Sequence, residues 1–321
     1  MILERVFVRA IVLSIPFCLM VVSCKKKKEF NQENGQSAVD ARNVQARNDE
    51  AIRDVNVAVM EQSLLRGKSA SELGQTTAVT ELCGVDVDTL SIFQGIIRLH
   101  YNGVPCNGVI KTGNIIVTVV NYPLKKWKNK GCVLRLDFVA YTVNLSNKQG
   151  QTITLDGTEY LENQSGNTWY EMRYLDATNL VQVHKSDGLK ASFGGNNTGI
   201  FNINCSLTYN YSSAKVTSCK IKGLGSSEGV SNLESWGLDR NGVHFTSQVN
   251  SPLVWKSTCG SGALLEGEIT VTGEGKDYEM KCNFAVDNEG NSVSVDSSCP
   301  HGWKVSWSYK KKTNTRVFAY N

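Results

Sequence analysis

The stretch FNINCSLTYNY, Phe201–Tyr211, sets the period by which the rest of the chain is read. Successive side chains of an extended strand point to opposite faces. Phe201, Ile203, Cys205, Leu207, Tyr209 and Tyr211 therefore share one face, and Asn202, Asn204, Ser206, Thr208 and Asn210 share the other. This is a strand with one face to a core and one to water. The same period recurs in Tyr278, Met280, Cys282, Phe284 and Val286, and again in Trp303, Val305 and Trp307. In VLRLDFVAYTV, Leu134, Leu136 and Phe138 give way to Val139, Tyr141 and Val143, which predicts a strand covered on both faces along part of its length.

Gly-rich and Asn-rich clusters punctuate these runs. Asn102-Gly103, Asn241-Gly242 and Glu289-Gly290 read as hairpin turns. The C-terminal VSWSYKKKTNTRVFAY reads as a closing hairpin with a polar tip. Short strands without alternating helices predict an all-β fold over residues 77–321, either an antiparallel sandwich or a curled, barrel-like sheet. CNGVIKTGNIIVTV from Cys106 and CGSGALLEGEITVTG from Cys259 share a pattern, which suggests two related β-units around 91–157 and 243–321.

Upstream the period is helical. Val44, Ile52, Val55 and Val59 recur at helix spacing, and Asn48-Asp49-Glu50 resembles a helix start. One N-terminal helix is expected within 38–66. Before it, KKKKEFNQENGQS reads as a flexible tether.

Arg5 and Arg9 precede a 14-residue apolar run, Ala10–Ser23, interrupted by Pro16. A transmembrane helix needs about 20 apolar residues, so the layout is that of a signal peptide. Val21-Val22-Ser23-Cys24 resembles the lipobox of bacterial lipoproteins. That resemblance covers residues 1–24 only. It implies cleavage before Cys24, acylation of that cysteine, and a tether over 24–37. It also implies a cell-envelope location, at the outer rather than the inner membrane, because Lys25 stands where an inner-membrane lipoprotein commonly has aspartate. The body resembles uncharacterised bacterial lipoproteins and no characterised family.

The formal net charge is +4, but Lys25–Lys28 alone contribute that much. Residues 29–321 carry 28 basic against 29 acidic residues, which excludes the basic field of a nucleic-acid-binding body. The lysine run belongs beside anionic head groups.

Eight cysteines remain after Cys18 and Cys24. In an exported chain they suggest disulfides, and local spacing favours Cys106–Cys132, Cys205–Cys219, Cys259–Cys282 and Cys83–Cys299. No motif of metal-ligand spacing is present among the cysteines and the four histidines, and no cofactor is implied. Gly225–Gly229, GSSEG, matches the G-x-S-x-G pattern of a hydrolase elbow around Ser227, with His244, His301 and Asp239 as partners. An elbow needs a strand, a sharp turn and a helix, whereas the flanks here read as loop. Asp287 opens DNEGN, which reads as a hairpin turn rather than a calcium loop. Trp303 and Trp307 belong to a core. Trp127 and Trp236 lie in polar, turn-like sequence and are the candidate ligand contacts. The expected function is a non-enzymatic binding, adhesion or structural module with a glycan or protein partner. A secreted hydrolase acting on polysaccharide or peptide is the alternative.

Overall fold

The structure is a computed structural model. It describes residues 36–67 and 82–320, except 107, 146–151, 176, 195–196, 213–214, 257–258, 260–262, 274–278, 295–298 and 310–311. The signal, Cys24 and the tether as far as residue 35 lie outside the described residues, while Gln36 and Ser37, expected in the tether, begin the first helix.

The chain opens with α1 (Gln36–Glu61) and the single turn α2 (Ser63–Arg66). Then come β1 (Val85–Asp88), β2 (Ile96–Cys106), β3 (Val109–Val119), β4 (Cys132–Leu145) and β5 (Thr152–Asn163). A short helix α3 (Trp169–Tyr174) leads into β6 (Asn179–Ser192), β7 (Thr198–Ser212), β8 (Lys215–Gly223), β9 (Gly225–Ser227) and β10 (Val230–Leu238). The rest is β11 (His244–Lys256), β12 (Leu264–Gly273), β13 (Glu279–Val286), β14 (Gly302–Tyr309) and β15 (Lys312–Ala319). All fifteen strands join one sheet, the barrel-like form of the two expected.

Every strand pairing is antiparallel, and neighbours in sequence are neighbours in the sheet except around β8–β10. There, β7 pairs through Ile200–Ile203 with β10 and through Cys205–Ser212 with β8. β11 pairs through His244–Gln248 with β10 and through Leu253–Lys256 with β8. Thus β8 and β10 lie end to end and share one position in the sheet, while β9 and the first residues of β10 form a hairpin beside that line. A Cβ on Gly223 would sit 2.1 Å from the Asn232 carbonyl oxygen, so only glycine permits this crossing.

Side-chain alternation places the core. Phe201, Ile203, Cys205, Leu207 and Tyr209 are buried, as are Met280, Cys282, Phe284, Trp303, Val305 and Trp307. Their neighbours Asn202, Asn204, Ser206, Thr208 and Asn210 face outward, as do Glu279, Lys281, Lys304 and Ser306. A polar outward face suits water and is the reverse of the apolar band of a transmembrane barrel. The double-faced reading of β4 is corrected. Leu134, Leu136 and Phe138 are buried, then Tyr141 and Val143, while Val139 is exposed. A bulge at Ala140 (φ 48°) shifts the phase by one residue. Asn102-Gly103 is likewise an irregularity within β2 rather than a hairpin, whereas Asn241-Gly242 forms the β10–β11 turn.

The sheet curls around α1. Eighteen of the 26 residues of this helix are buried, far more than the single stripe of a helix resting on a surface. Its start meets the β10–β11 turn, where Ser37 Oγ donates to Asp239 Oδ2 at 2.6 Å and Arg240 bonds Asp40. This is the near end of the body. At the far end, Trp127 N donates to the carbonyl of Leu65 at 2.9 Å. Trp127 is 1% exposed, so the expected ligand contact is instead the packing floor under α2. The last strand returns towards β5, and Arg316 and Phe318 share a cleft of about 180 Å³ with Thr152, Ile153 and Gln36.

Two disulfides replace the expected pairing. Cys83 joins Cys106 (Cα–Cα 6.0 Å) and Cys259 joins Cys299 (Cα–Cα 5.3 Å). Cys132, Cys205, Cys219 and Cys282 are free and buried. Cys106 ends β2 at the near end and Cys132 begins β4 at the far end, a sheet length apart. The register sets Cys205 opposite Gly223 and Cys219 opposite Tyr209, so that pair does not meet either. Cys282 sits mid-strand between Ile269 and Val305. Within the two similar stretches, β3 and β12 run in opposite directions, with Cys106 and Cys259 at opposite ends of the sheet.

Gly113 (φ 93°) faces the β4 bulge, and a Cβ there would sit 2.1 Å from the Ala140 carbonyl oxygen. Gly113→Ala is expected to cost about 2–4 kcal/mol by combining left-handed strain with a backbone clash. A lowered denaturant midpoint at unchanged slope is the expected readout, and an unchanged midpoint would refute the bulge geometry.

Candidate functional site: the helix-filled lumen and its side cleft

α1 carries polar side chains into the lumen, and several of them meet partners on the wall. Asn56 and Gln182 exchange amide hydrogen bonds of 3.1 and 2.7 Å. Asp54 accepts from Lys111 Nζ at 2.7 Å and from Tyr101 OH at 3.2 Å. Arg42 pairs with Glu234 at 3.3 Å, and Ser247 Oγ donates to the same carboxylate. These bonds fix the rotation and depth of the helix. A slip of one turn would leave buried charges unpaired, at several kcal/mol each.

The innermost group has the order of a cysteine hydrolase. Cys205 Sγ lies 4.0 Å from His184 Nδ1, and His184 Nε2 lies 2.9 Å from Glu159 Oε2. Asn48 Nδ2 donates to the other oxygen of Glu159 at 2.9 Å. With Glu159 accepting, Nε2 carries the ring proton and Nδ1 is left to accept from the thiol. Yet Cys205, His184 and Glu159 are each 0% exposed. Burial also pushes the Cys205 thiol far above its usual range, reinforced by Asp49 and Glu234, which disfavours the nucleophilic thiolate. Neither of the clefts described in this structure is lined by Cys205 or His184. The group is a sealed structural network.

Next to this network, further along β7, the packing opens. A cleft of about 70 Å³ lies between Ala46, Asp49 and Glu50 of the helix and a wall from α3, β7, β8, β11 and β12. The wall is aromatic and aliphatic, including Trp169, Tyr209, Cys219, Ile221, Trp255 and Leu264. Trp169 stands edge-on to Tyr209, with centroids 5.6 Å apart. Two buried polar atoms in this lining have no hydrogen-bond partner: the donor Trp169 Nε1 and the acceptor Glu50 Oε2. The other oxygen of Glu50 is held by Arg47 at 2.8 Å. Buried polar groups are nearly always satisfied, so an unsatisfied donor and acceptor in an apolar cleft are what a bound molecule would complete. Asp49, beside them, is raised to about 6, first by burial, against the opposing pull of Arg42 and of Gln45, which donates to it at 2.9 Å.

The other sequence candidates are scattered. Trp236 is half-buried and packs over Gly225. Ser227 ends β9 in a β-hairpin with β10, without the helix an elbow requires. His244 and His301 are exposed, and Asp239 is buried under Ser37 and the turn it caps. Asp287 accepts from the amide of Asn291 and caps a turn closed by Gly290, and these backbone amides hold its carboxyl below the usual range. Trp169 and Trp255 line the cleft although neither stood out in sequence. The only available signal was TWYEM, in which Thr168 and Glu171 form a capping box that starts α3 and aims Trp169 at the body. No protein-family model matches the chain, and no curated protein or solved structure matches it.

Asp49 binds a proton more tightly folded than unfolded, so its contribution is present at low pH and lost as pH rises through about 6. Relative to Asp49→Asn, the wild type is expected to lose up to about 3 kcal/mol of unfolding free energy between pH 4 and pH 6.5. Denaturant titrations of both proteins across that window check this, and parallel pH profiles would refute it.

Proposed function

We propose that the protein is a lipid-anchored cell-envelope module that binds a small, largely apolar ligand in the cleft beside α1. The observation that carries the binding half is the aromatic cleft with an unsatisfied donor, Trp169 Nε1, and an unsatisfied acceptor, Glu50 Oε2, in its lining. A hydroxyl or amide both donates and accepts, the two roles these atoms call for. The anchoring half rests on the lipobox-like Val21–Cys24, and two disulfides support export to an oxidising compartment. The outer membrane is the proposed destination on the strength of Lys25. The hydrolase alternative has less support: Ser227 lies in a hairpin, and the Cys205–His184–Glu159 line is sealed. Stacking of a glycan on an exposed sheet face is also less favoured, because Trp127, Trp303 and Trp307 are buried.

Palmitate is expected to label the wild type and not Cys24→Ala, and label persisting in the variant would remove the anchor. For the cleft, p-cresol supplies an apolar ring with one hydroxyl. It is expected to bind with a dissociation constant on the order of a millimolar, given the small number of atoms it can bury. Ala46→Leu, which fills the helix side of the cleft, is expected to abolish that binding by calorimetry. Equal binding to both proteins, or none to the wild type, would overturn the cleft reading.

A further inference from the structure

The outward face of the sheet is polar, but its exposed apolar side chains are not spread at random. The four most exposed large hydrophobics are Leu90 (91%), Leu124 (89%), Phe93 (80%) and Leu175 (62%). All four stand on three connections at the far end: Leu90 and Phe93 between β1 and β2, Leu124 between β3 and β4, and Leu175 between β5 and β6. These connections pack on one another. Val119 N, where β3 runs into its loop, donates to the carbonyl of Gly95 at 2.8 Å, and Tyr122 fills the space where a Gly95 Cβ would stand. Gly131 N donates to the carbonyl of Asn163, and Asn163 Nδ2 donates to that of Trp127.

The middle connection is basic. Lys128 and Lys130 are exposed. Lys125 donates to a backbone carbonyl and Lys126 lies over the Tyr122 ring, and neither of these contacts is to a carboxylate. Apolar side chains at three loop tips, with lysines on the middle connection between them, match a bilayer interface: the tips enter the acyl boundary while the amines meet anionic head groups. A protein partner would instead favour a contiguous apolar core depleted of lysine.

We infer that the far-end rim of Leu90, Phe93, Leu124 and Leu175, with Lys128 and Lys130, docks on an anionic lipid bilayer. The rim is distinct from the anchor at Cys24, because the chain enters the body at the near end, where α1 begins. α1 alone is about 39 Å long, which sets the two ends well apart.

The test uses the full chain with an environment-sensitive fluorophore on Phe93→Cys or, as a control at the near end, on Asn314→Cys. Vesicles of phosphatidylcholine, with or without phosphatidylglycerol, carry brominated acyl chains. The label at position 93 is expected to shift to the blue and be quenched on phosphatidylglycerol vesicles, while the label at 314 stays in water. Lys128→Glu with Lys130→Glu is expected to lower that insertion about tenfold or more. Because both labels share the same anchor, anchoring alone cannot produce the difference. Equal behaviour at 93 and 314, or a label at 93 that stays water-exposed and responds only to added protein, would overturn the inference.

Discussion

The structure depends on one constraint: a helix bearing charged and amide side chains is enclosed by a sheet. Asp40, Arg42, Asn48, Asp54 and Asn56 are all buried. Enclosure in an apolar lumen would cost several kcal/mol for each charge left unmatched. The wall therefore supplies Arg240, Glu234, Glu159, Lys111 and Gln182 at the heights where the helix needs them. Irregularities in the sheet follow the same demand. The register shift between Asp156/Lys190 and Glu159/Ser186 puts the extra residue in β6, so that Gln182 and His184 point inward before it and Leu189 and Ala191 after it, while β5 keeps Glu159 in phase with Ile153 and Leu155. Specificity of docking, rather than hydrophobic area alone, holds the helix at one depth.

The strands were legible because their alternation is strict wherever one face meets water. Phe201–Tyr209, Met280–Val286 and Trp303–Trp307 bury the residues that period 2 assigns to the core. β4 misled because a one-residue bulge and a genuinely double-faced strand give the same apolar pattern. The helix was legible as an element but not in its placement. Its apolar spacing marks a helix, and only the positions of Glu159, Gln182 and Glu234 in the folded sheet reveal the partners of its polar residues. Trp127 misled for a related reason: the KKWKNK lysines point outward, yet the backbone turn drops the indole beneath α2.

The cysteines show the limit of local spacing. Proximity in sequence favours Cys205–Cys219, but strand register decides contact, and it sets Tyr209 across from Cys219. The two bridges that form instead tie connections and strand ends at the margin of the sheet. The four remaining thiols behave as small core hydrophobes, with Cys282 pushed up to about 12 by burial. The cleft residues were hidden in the same way, since Trp169 and Trp255 lie 86 positions apart and meet only through the curl.

Enclosure also has a consequence for the order in which the chain is made. α1 is the first described element to be synthesised, and its side-chain partners follow from Tyr101 to Arg240, as many as 202 positions later. With its mix of Arg, Asp and Asn, the isolated segment has little reason to hold a helix in water. The plug therefore waits for its own container. Strands must pair outward from local hairpins, and the segment made earliest is the last to find its native surroundings, a topology of high contact order that folds slowly.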